Sequence, residues 1–439
     1  MITLEGKFRI VTPLFMSGAD RERAELRAAS IRGILRFWWR ALALGHCEGS
    51  WEDVRKAEFD LFGSSTTGQS RVHLSLSAPD QSEKMQKIGN LLKDSSGNVL
   101  GPGARYLGYG VILPLDKKDE RGKVTNRLGE ALRPYLQAPL EGDLRLYLRP
   151  TTYRKSSGNL DKKADLLEGA LKAMGLIGGL GSRSRRGFGS FTLLKLKRDG
   201  VLKYEAPKNV EDYIASLRSF FQTYVKAIPE IPDYTAFNQD TRVYLLATGK
   251  DPLQLLDEIG QAMQMYRSWG RNNMVNDDPA EQNFDDDHDN MRDALFAPAR
   301  EYPRRVAFGL PHNYYFSSER TNFSKPVIEI YPEKKDRRHD RRASPLFIHI
   351  QYLSKDKYAA FATIFPSLFL PKGEGILIRR AKEDGEDKRS VPQNTLQIKS
   401  DWHSILREFV EKDVPGGKGE KRFSDLKQIC PEVATEESA

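Results

Sequence analysis

The most informative stretch of the chain is GGLGSRSRRGFG, residues 178–189, which holds five glycines and three arginines. Apolar residues with helical spacing precede it at 164–174, and a strand-like segment follows at 191–196. Glycine lets backbone amides approach an anion closely, and arginine forks bind phosphate. We therefore interpret residues 178–189, the Gly-Arg loop, as a phosphate-binding connection, although a flexible surface loop can have the same composition. The predicted contacts are Gly179, Gly181, Arg183, Arg185 and Arg186.

The Gly-Arg loop differs from the common nucleotide-binding loops. The chain has no GxxxxGK[ST] motif, and a GxGxxG fingerprint should follow a strand and open a helix, which is the reverse of the order here. The sequence therefore does not support ATP or NAD binding, and we expect no cofactor.

Strand-like and helix-like segments alternate on both sides of the Gly-Arg loop. Strands are predicted at 2–10, 71–78, 106–113, 143–148 and 191–196, and helices at 164–174 and from Ser30, as cap, to about Gly45. The order β-α-β with extra strands, then α-β, indicates a ferredoxin-like, split βαβ unit. A helix at 210–227, a strand at 242–248 and a helix at 252–267, capped by Asp251, repeat the alternation.

The length of 439 residues exceeds the size at which one hydrophobic core keeps growing. Charged residues and proline at 197–208 predict a boundary, so we expect an N-terminal domain at 1–205 and a C-terminal domain at 206–439. Two loops, acidic at 276–289 and basic at 334–342, are expected to be too polar to be buried. The tail beyond Lys412 is expected to be partly disordered, and the fold class is α+β.

The first predicted helix carries Arg32, Arg36 and Arg40 four residues apart, which places them in one stripe. Trp39 is expected beside Arg36, opposite the apolar face. Guanidinium forks bind phosphate and an aromatic plane stacks on an unpaired base, so such a stripe suits RNA. A solvated arginine face with Trp39 packed on a neighbouring element is the alternative. Arg32 in the first turn opposes the helix dipole unless an anion binds at 30–33, which favours the RNA interpretation.

Bulk properties agree with an anionic partner and a reducing compartment. Lys and Arg total 69 against 60 Asp and Glu, a formal charge of +9. The two cysteines, Cys47 and Cys430, are too few and too far apart for a disulfide framework or a cysteine-rich zinc site. The N-terminus lacks the apolar core of a signal peptide, and the longest apolar stretch, 358–370, is interrupted by Pro366. We expect a soluble cytoplasmic protein with no membrane partner.

Several motifs together resemble the RAMP superfamily. They are TPLF at 12–15 with GAD at 18–20, SIRGILRFWWR at 30–40, LFGS at 61–64, the Gly-Arg loop and, more loosely, RRASPL at 341–346. Within the superfamily the run is similar to the first subunits of Cmr complexes, the type III-B CRISPR effectors. The resemblance covers most of the chain, with its strongest motifs in the first half.

This resemblance implies two tandem ferredoxin-like (RRM-like) RAMP domains with inserted loops and helices. It also implies a place in an antiviral ribonucleoprotein, where the chain holds guide RNA toward its 3′ portion and the paired target RNA, beside other Cmr subunits. By the resemblance, RNA contacts fall on Arg32, Arg36, Trp39, Arg40, Arg183, Arg185 and Arg186. Trp269 and Arg271 could extend an RNA groove or face another subunit.

Two other classes of function stay open. Some RAMP relatives cut RNA, and a metal-independent endonuclease needs a general base and acid. Candidates are His46, His73, His288 and His312, with Asp20 weaker. The dipeptides His288-Asp289 and His339-Asp340 lack further ligands for a metal. An interaction scaffold without RNA contact is the other class, and we predict an RNA-binding subunit that catalyses no reaction and holds no metal.

Overall fold

The computed structural model of the chain describes residues 1–78, 84–119, 121–150, 160–270, 273–333, 341–383, 386, 391–399, 401–414 and 421–431. In these parts of the chain the helices are α1 (Ala28–His46), α2 (Trp51–Phe62), α3 (Pro102–Leu107), α4 (Leu160–Ile177), α5 (Val210–Tyr224), α6 (Pro252–Arg267), α7 (Asp285–Asp293) and α8 (Ser404–Glu411). Short 3-10 helices lie at Arg304–Phe308 and Ser317–Glu319.

The strands of the first half are β1 (Ile2–Ile10), β2 (Val72–Ser77), β3 (Met85–Gln86), β4 (Lys117–Lys118), β5 (Val124–Asn126), β6 (Tyr135–Leu136), β7 (Leu140–Leu148), β8 (Phe191–Arg198) and β9 (Val201–Glu205). Those of the second half are β10 (Arg242–Gly249), β11 (Met274–Val275), β12 (Asp278–Pro279), β13 (Gly309–Leu310), β14 (His312–Tyr315), β15 (Val327–Pro332), β16 (Arg342–Ala343), β17 (Leu346–Ser354), β18 (Lys357–Ile364), β19 (Ile376–Arg380), β20 (Gln393–Leu396) and β21 (Lys427–Cys430).

The first large sheet has the order β2-β7-β1-β8-β9, and its neighbouring strands are antiparallel. Strand β1 alternates between buried and more exposed residues, the pattern of a strand with one face on a core. Phe8 on β1 stacks on Phe191 of β8, with ring centroids 5.1 Å apart. Along the chain the elements run β1-α1-β2-β7-α4-β8, and α1 packs against α4.

The second large sheet has the order β17-β18-β10-β21 and is also antiparallel. Its elements run β10-α6-β17-β18-α8-β21, so in both sheets the first strand of the unit lies between the third and the fourth. Helix α6 begins as predicted, because Asp251 Oδ1 accepts hydrogen bonds from the amides of Leu253 and Gln254 at 2.7 and 3.2 Å. The expectation of a mixed α/β fold is confirmed, and another sheet, β14-β15-β19-β20, is inserted in this half.

The two halves meet where β17 passes the end of the Gly-Arg loop. The Ile350 amide donates to Ser190 Oγ at 3.1 Å, and His349 Nδ1 lies 2.8 Å from the Gly178 carbonyl oxygen. Phe188 of the loop is fully buried in a hydrophobic core to which both halves contribute. The Gly-Arg loop is therefore a layer between the halves and not the flexible surface loop of the alternative interpretation.

Helix α5 follows the predicted domain boundary but packs on the first half. The Tyr213 hydroxyl donates to the Leu176 carbonyl oxygen at the end of α4. Tyr213 also stacks on Phe361 of β18, with ring centroids 4.0 Å apart. Both hydrophobic cores thus contain residues from each side of position 205, and the boundary there stays a prediction.

Two predicted element limits are wrong in the first half. Residues 106–113 do not form a strand, because Pro102 opens α3 and Gly103 lies against α6, where a Cβ would be 2.0 Å from the Asp257 carbonyl oxygen. Helix α1 begins at Ala28 after Arg27, so Ser30 lies in the first turn and is not the cap.

Two segments expected to be exposed or disordered are partly built into the fold. Asp287, in the acidic stretch 276–289, is 4% exposed, and its carboxylate accepts from the amides of Arg304 and Arg305 at 2.8 and 2.9 Å. These bonds compensate burial, so part of the stretch forms α7. In the tail, Phe423 is fully buried and β21 completes the second sheet. Residues 334–340, 415–420 and 432–439 lie outside the described residues.

Candidate nucleic-acid interface

Helix α1 presents its predicted basic stripe on the flank that meets α2. Arg36 Nε and Arg40 Nη1 donate to one oxygen, Oε1 of Glu58, at 2.8 and 2.6 Å. The Glu58 side chain is 7% exposed, whereas those of Arg36 and Arg40 are 29% and 37% exposed. Arg32, one turn earlier, is half-buried and has no ion-pair partner among the described residues. Two guanidinium groups share one carboxylate, so the flank keeps a net positive charge.

The prediction that Trp39 lies on an open flank is wrong. Trp39 is 3% exposed and packs edge-on against Phe62 of α2, with ring centroids 5.9 Å apart. Helix α2 covers this side of α1, which is therefore buried on more than the single apolar face that its periodicity indicates. A buried indole cannot stack on an unpaired base, and we leave Trp39 out of the interface.

The glycines of the Gly-Arg loop serve packing, which corrects their predicted role. Gly179 is buried, and Gly181 has a φ of +75° and lies so close to the preceding segment that a Cβ would be 2.5 Å from the Phe15 carbonyl oxygen. The amides of Leu180 and Ser182 each donate to a protein carbonyl oxygen at 2.8 Å. The expected nest of free backbone amides is therefore not formed here.

Two of the three loop arginines contact the second half. Arg185 Nη1 donates to the Ser344 carbonyl oxygen at 2.9 Å, and its guanidinium lies 4.6 Å from the ring centroid of Phe347. Arg186 Nη1 lies 3.2 Å from Met263 Sδ. Burial lowers the pKa of Arg185 and of Arg186 to about 10, so both stay charged at neutral pH. Arg186 thus belongs to the contact between the halves, which differs from its predicted place on phosphate.

Arg183 is the exposed arginine of the loop. Although the residue as a whole is exposed, partial burial of the guanidinium lowers the pKa of Arg183, and the positive charges of Arg133 and Arg341 lower that pKa further. Arg133 and Arg341 are themselves exposed, and no carboxylate within the described ranges forms an ion pair with any of the three. These side chains, the arginine triad, form a positive surface that joins both halves and that no described carboxylate neutralises through an ion pair.

On one side of the triad lies the interdomain cleft, a concavity of about 450 Å³. Four arginines and one carboxylate are among its lining residues, Arg40, Arg185, Arg341, Arg342 and Asp233. Arg342 is fixed by a hydrogen bond from its Nε to the Phe369 carbonyl oxygen at 2.6 Å. Burial lowers the pKa of Arg342 to about 10. The cleft therefore combines residues from α1, the Gly-Arg loop and the segment before β17.

A second concavity of about 750 Å³, the N-terminal groove, is lined by Arg133, by the segment after β1 and by the start of α1. Ser30 lines it, and the neighbouring Gly33 faces open space. Because α1 begins at Ala28, residues 30–33 lie past the helix N-terminus at which the anion was predicted, and of these four residues Ser30 lines the groove. Arg133 lines the groove and Arg341 lines the cleft, so the arginine triad includes residues of both concavities.

Comparison with known proteins agrees with this geometry. A family model described as the RAMP superfamily matches residues 7–192, a range that includes both α1 and the Gly-Arg loop. A Pyrococcus furiosus protein named CRISPR system Cmr subunit Cmr1-2 is 30% identical over 191 residues, which span 43% of this chain and 92% of that relative. The chain belongs to the RAMP superfamily, in its Cmr1 family. Cmr1-1 of the same organism is 28% identical over 177 residues, 40% of this chain and 42% of the relative.

Two solved structures were matched to the chain at low sequence identity. The crystal structure of Cmr1 from Pyrococcus furiosus in its apo form has a TM-score of 0.48 and 18% identity, and covers 98% of this chain and 99% of that one. A chain of a type III-B Cmr-beta complex bound to cognate target RNA has a TM-score of 0.42 and 12% identity, with 83% and 94% covered.

Trp269, the second-half candidate within the described residues, lines neither of the two concavities. Trp269 stacks on His288 with ring centroids 4.1 Å apart and planes 9° from parallel, beside Arg267 and Arg305. Arg271 lies outside the described residues. The predicted extension of the groove through Trp269 is therefore not formed by direct contact with the arginine triad.

The histidines considered for catalysis lie in four different elements. His46 is the last residue of α1, and its Nε2 lies 2.9 Å from the carbonyl oxygen of Tyr224 at the end of α5. His73 is on the edge strand β2. His288 is stacked on α7, and burial holds the pKa of His312, on β14, well below its usual range. Asp20 is exposed, and its Oδ1 accepts from the Glu22 amide at 2.8 Å.

The described residues contain neither a metal-binding cluster nor a membrane-spanning helix. No group of three or more His, Cys, Asp or Glu side chains there is arranged to hold a metal ion. Within the same ranges, every helix is too short or too polar to cross a membrane.

The sequence analysis did not identify several residues of the arginine triad, of the basic stripe on α1 and its surroundings, and of the interdomain cleft. Arg133 lies in an irregular segment with no periodic pattern, and Glu58 is an ordinary-looking acid on α2. Trp51 and Tyr234, which line the interdomain cleft, come from segments far apart in the chain. The sequence offered one signal for Trp51, its position directly after a serine that can cap a helix. In the structure Ser50 Oγ is this cap and accepts a hydrogen bond from the Asp53 amide.

Proposed function

We propose that this chain is an RNA-binding subunit of a Cmr effector assembly. It binds guide RNA toward its 3′ portion and the target RNA paired with it, beside other Cmr subunits. The observation that carries the proposal is the arginine triad, in which two guanidinium groups lie close enough to lower the pKa of the third and none has a carboxylate partner in the described ranges. Such groups bind phosphate through charge-assisted hydrogen bonds and release counterions.

The proposal includes tandem ferredoxin-like domains as the scaffold of the interface. It is supported by the shared strand order of the two large sheets, in which the first strand lies between the third and fourth. The triad draws Arg133 and Arg183 from the first unit and Arg341 from the segment before β17 of the second. The pairing of two such units therefore creates the surface that neither has alone.

The proposal also assigns no catalytic step to the chain. The separate and mostly structural positions of His46, His73, His288 and His312 support this, since acid and base must both reach one phosphodiester. A cytoplasmic location is part of the same proposal. It is supported by Cys47 and Cys430, neither of which forms a disulfide bond within the described residues.

The test is fluorescence anisotropy of the full chain with single-stranded RNA across a salt series. The triple variant Arg133→Ala, Arg183→Ala, Arg341→Ala should bind more weakly, and its log–log salt slope should be shallower by about 2, because a single strand contributes roughly 0.7 per phosphate contact. The matched control removes three exposed lysines from the first sheet, Lys7, Lys195 and Lys203.

The control separates local from general electrostatics, because both triple variants lose the same charge. Equal effects of the two variants would contradict a phosphate site at the triad. Absence of binding by the wild-type chain would favour the interaction scaffold. Cleavage of the RNA during the titration would contradict the non-catalytic part of the proposal.

A further inference from the structure

The interdomain cleft has an aromatic rim in addition to its arginines. Trp51, at the first position of α2, packs edge-on against Tyr234, with ring centroids 5.4 Å apart and planes at 78°. Tyr234 is 47% exposed and Trp51 is half-buried, so both rings offer surface to the cleft that they line. Large aromatic side chains usually bury most of their surface, and an exposed pair beside a cationic cavity indicates a ligand with a flat face.

The floor of the cleft is positive and fixed in place. Arg185 is held between the rings of Phe37 and Phe347, 5.5 and 4.6 Å from their centroids. Arg342 Nη2 donates to Ser367 Oγ at 2.8 Å. These contacts fix the guanidinium groups without neutralising them, since carbonyl and hydroxyl oxygens carry no formal charge.

The rim carries the groups that are free to bind. Arg341 is exposed, and Arg40 shares the Glu58 carboxylate with Arg36, so Arg40 has only part of one negative charge. A phosphate between Arg40 and Arg341 would meet forked donors from both halves of the chain.

We propose that the interdomain cleft holds one unpaired nucleotide of an RNA strand. Its base packs against Trp51 and Tyr234. Its phosphate lies between Arg40 and Arg341, above the positive floor. The volume of about 450 Å³ is in the range of small-ligand pockets, roughly 300–1,000 Å³, which excludes a duplex.

This inference rests on the proposed RNA-binding function and defines which part of the RNA enters the cleft. Bases in an A-form duplex stack on one another and are recognised mainly through backbone and shape. Stacking on protein aromatics requires a base that is out of the helix. The cleft therefore selects an unpaired end, bulge or linker and not the paired guide and target.

The experiment compares three RNA ligands on the full chain: a single strand carrying one 2-aminopurine, the same strand with abasic sites, and a blunt duplex of equal length. Wild-type protein should quench 2-aminopurine fluorescence and bind the single strand more tightly than the abasic strand. The double variant Trp51→Ala, Tyr234→Ala should bind the single strand about tenfold more weakly, because stacking of a base contributes affinity of that order. Its salt slope should be unchanged because no charge is removed.

Controls distinguish this inference from the proposed function. Tyr315→Ala removes another exposed tyrosine, 53% accessible, on the inserted sheet and should leave binding and quenching unchanged. If the triad variant weakens binding while the Trp51/Tyr234 variant does not, the nucleotide site is refuted and RNA binding stands. If the triad variant also binds normally, the proposed function fails.

Two further arms test base stacking and the identity of the ligand. Trp51→Phe keeps an aromatic ring, so it should retain the fold and most of the quenching. If Trp51→Phe folds normally and loses as much affinity as the alanine variant, stacking is refuted. Adenosine monophosphate carries the same base and phosphate, and its displacement of the strand at micromolar concentration would overturn the assignment to RNA in favour of a free nucleotide.

Discussion

Replacing Glu58 with Gln should affect stability and RNA binding in opposite directions. The Glu58 carboxylate accepts two charge-assisted hydrogen bonds, from Arg36 at 2.8 Å and from Arg40 at 2.6 Å. Each such bond contributes about 1 kcal/mol more than a neutral one, or about 2 kcal/mol for the pair. The arginine side chains are 29% and 37% exposed, so water screens the loss to about 1 kcal/mol.

We therefore expect Glu58→Gln to lower the free energy of unfolding by about 1 kcal/mol, a shift in Tm of about 1 °C for a chain of this length. The same change releases Arg40 to bind phosphate. Single-stranded RNA should bind about fivefold more tightly at low salt, with a log–log slope steeper by about 0.7. Thermal unfolding and anisotropy titration measure the two effects on one preparation.

The control is Glu52→Gln on the same helix. Glu52 is 67% exposed and pairs with Lys56 at 2.9 Å, so this variant changes the net charge equally without freeing a cleft arginine. It should change neither Tm nor the salt slope appreciably. Weaker RNA binding by Glu58→Gln, or an equal gain by both variants, would refute the view that Glu58 restrains Arg40 beside a phosphate site.

Three further predictions concern buried groups, each measured by urea unfolding. Trp39→Ala should cost about 3–5 kcal/mol, because the 3%-exposed indole leaves a cavity, and a near-neutral result would contradict its burial. Arg185→Met and Arg185→Ala both remove the charge of Arg185, but methionine keeps the packing on Phe347. Arg185→Met should therefore be less destabilising than Arg185→Ala by about 1–2 kcal/mol. Burial lowers the pKa of His349 to about 4 in the folded chain, so between pH 6.5 and 5 the imidazole gains a proton mainly in the unfolded chain. The free energy of unfolding should therefore fall by about 2 kcal/mol over this range. The variant His349→Gln should lack this part of the pH dependence.

Local signals were sufficient for the main elements. The apolar spacing of Ile31, Leu35 and Trp38 predicted α1, and Asp251 before Pro252 predicted the start of α6. Each signal lies within one or two turns of the element that it predicts. Helix α3 was missed because the decisive contact, Gly103 against α6, joins residues about 150 positions apart.

The candidate site was predictable in composition but not in orientation. The sequence singled out the Gly-Arg loop, yet whether one of its arginines faces solvent depends on β17, which pairs with the loop through the Ile348 amide and the Arg185 carbonyl oxygen at 3.0 Å. Trp39 was misplaced for a similar reason, since α2 covers a flank that one helical period leaves open. The spacing of apolar residues along a helix predicts the face that packs on the core. Whether a second face is also buried depends on which other element of the fold packs against it.

The position of the Gly-Arg loop between the halves has a consequence for dissecting the protein. Phe188 and Leu180 are both fully buried, and Phe188 belongs to a core in which most of the residues come from the second half. A fragment ending after β9 would expose that ring to water and leave Arg185 without the Ser344 carbonyl oxygen. Isolated halves should therefore aggregate or refold locally, and separately produced fragments should regain a stable interface only when they are mixed.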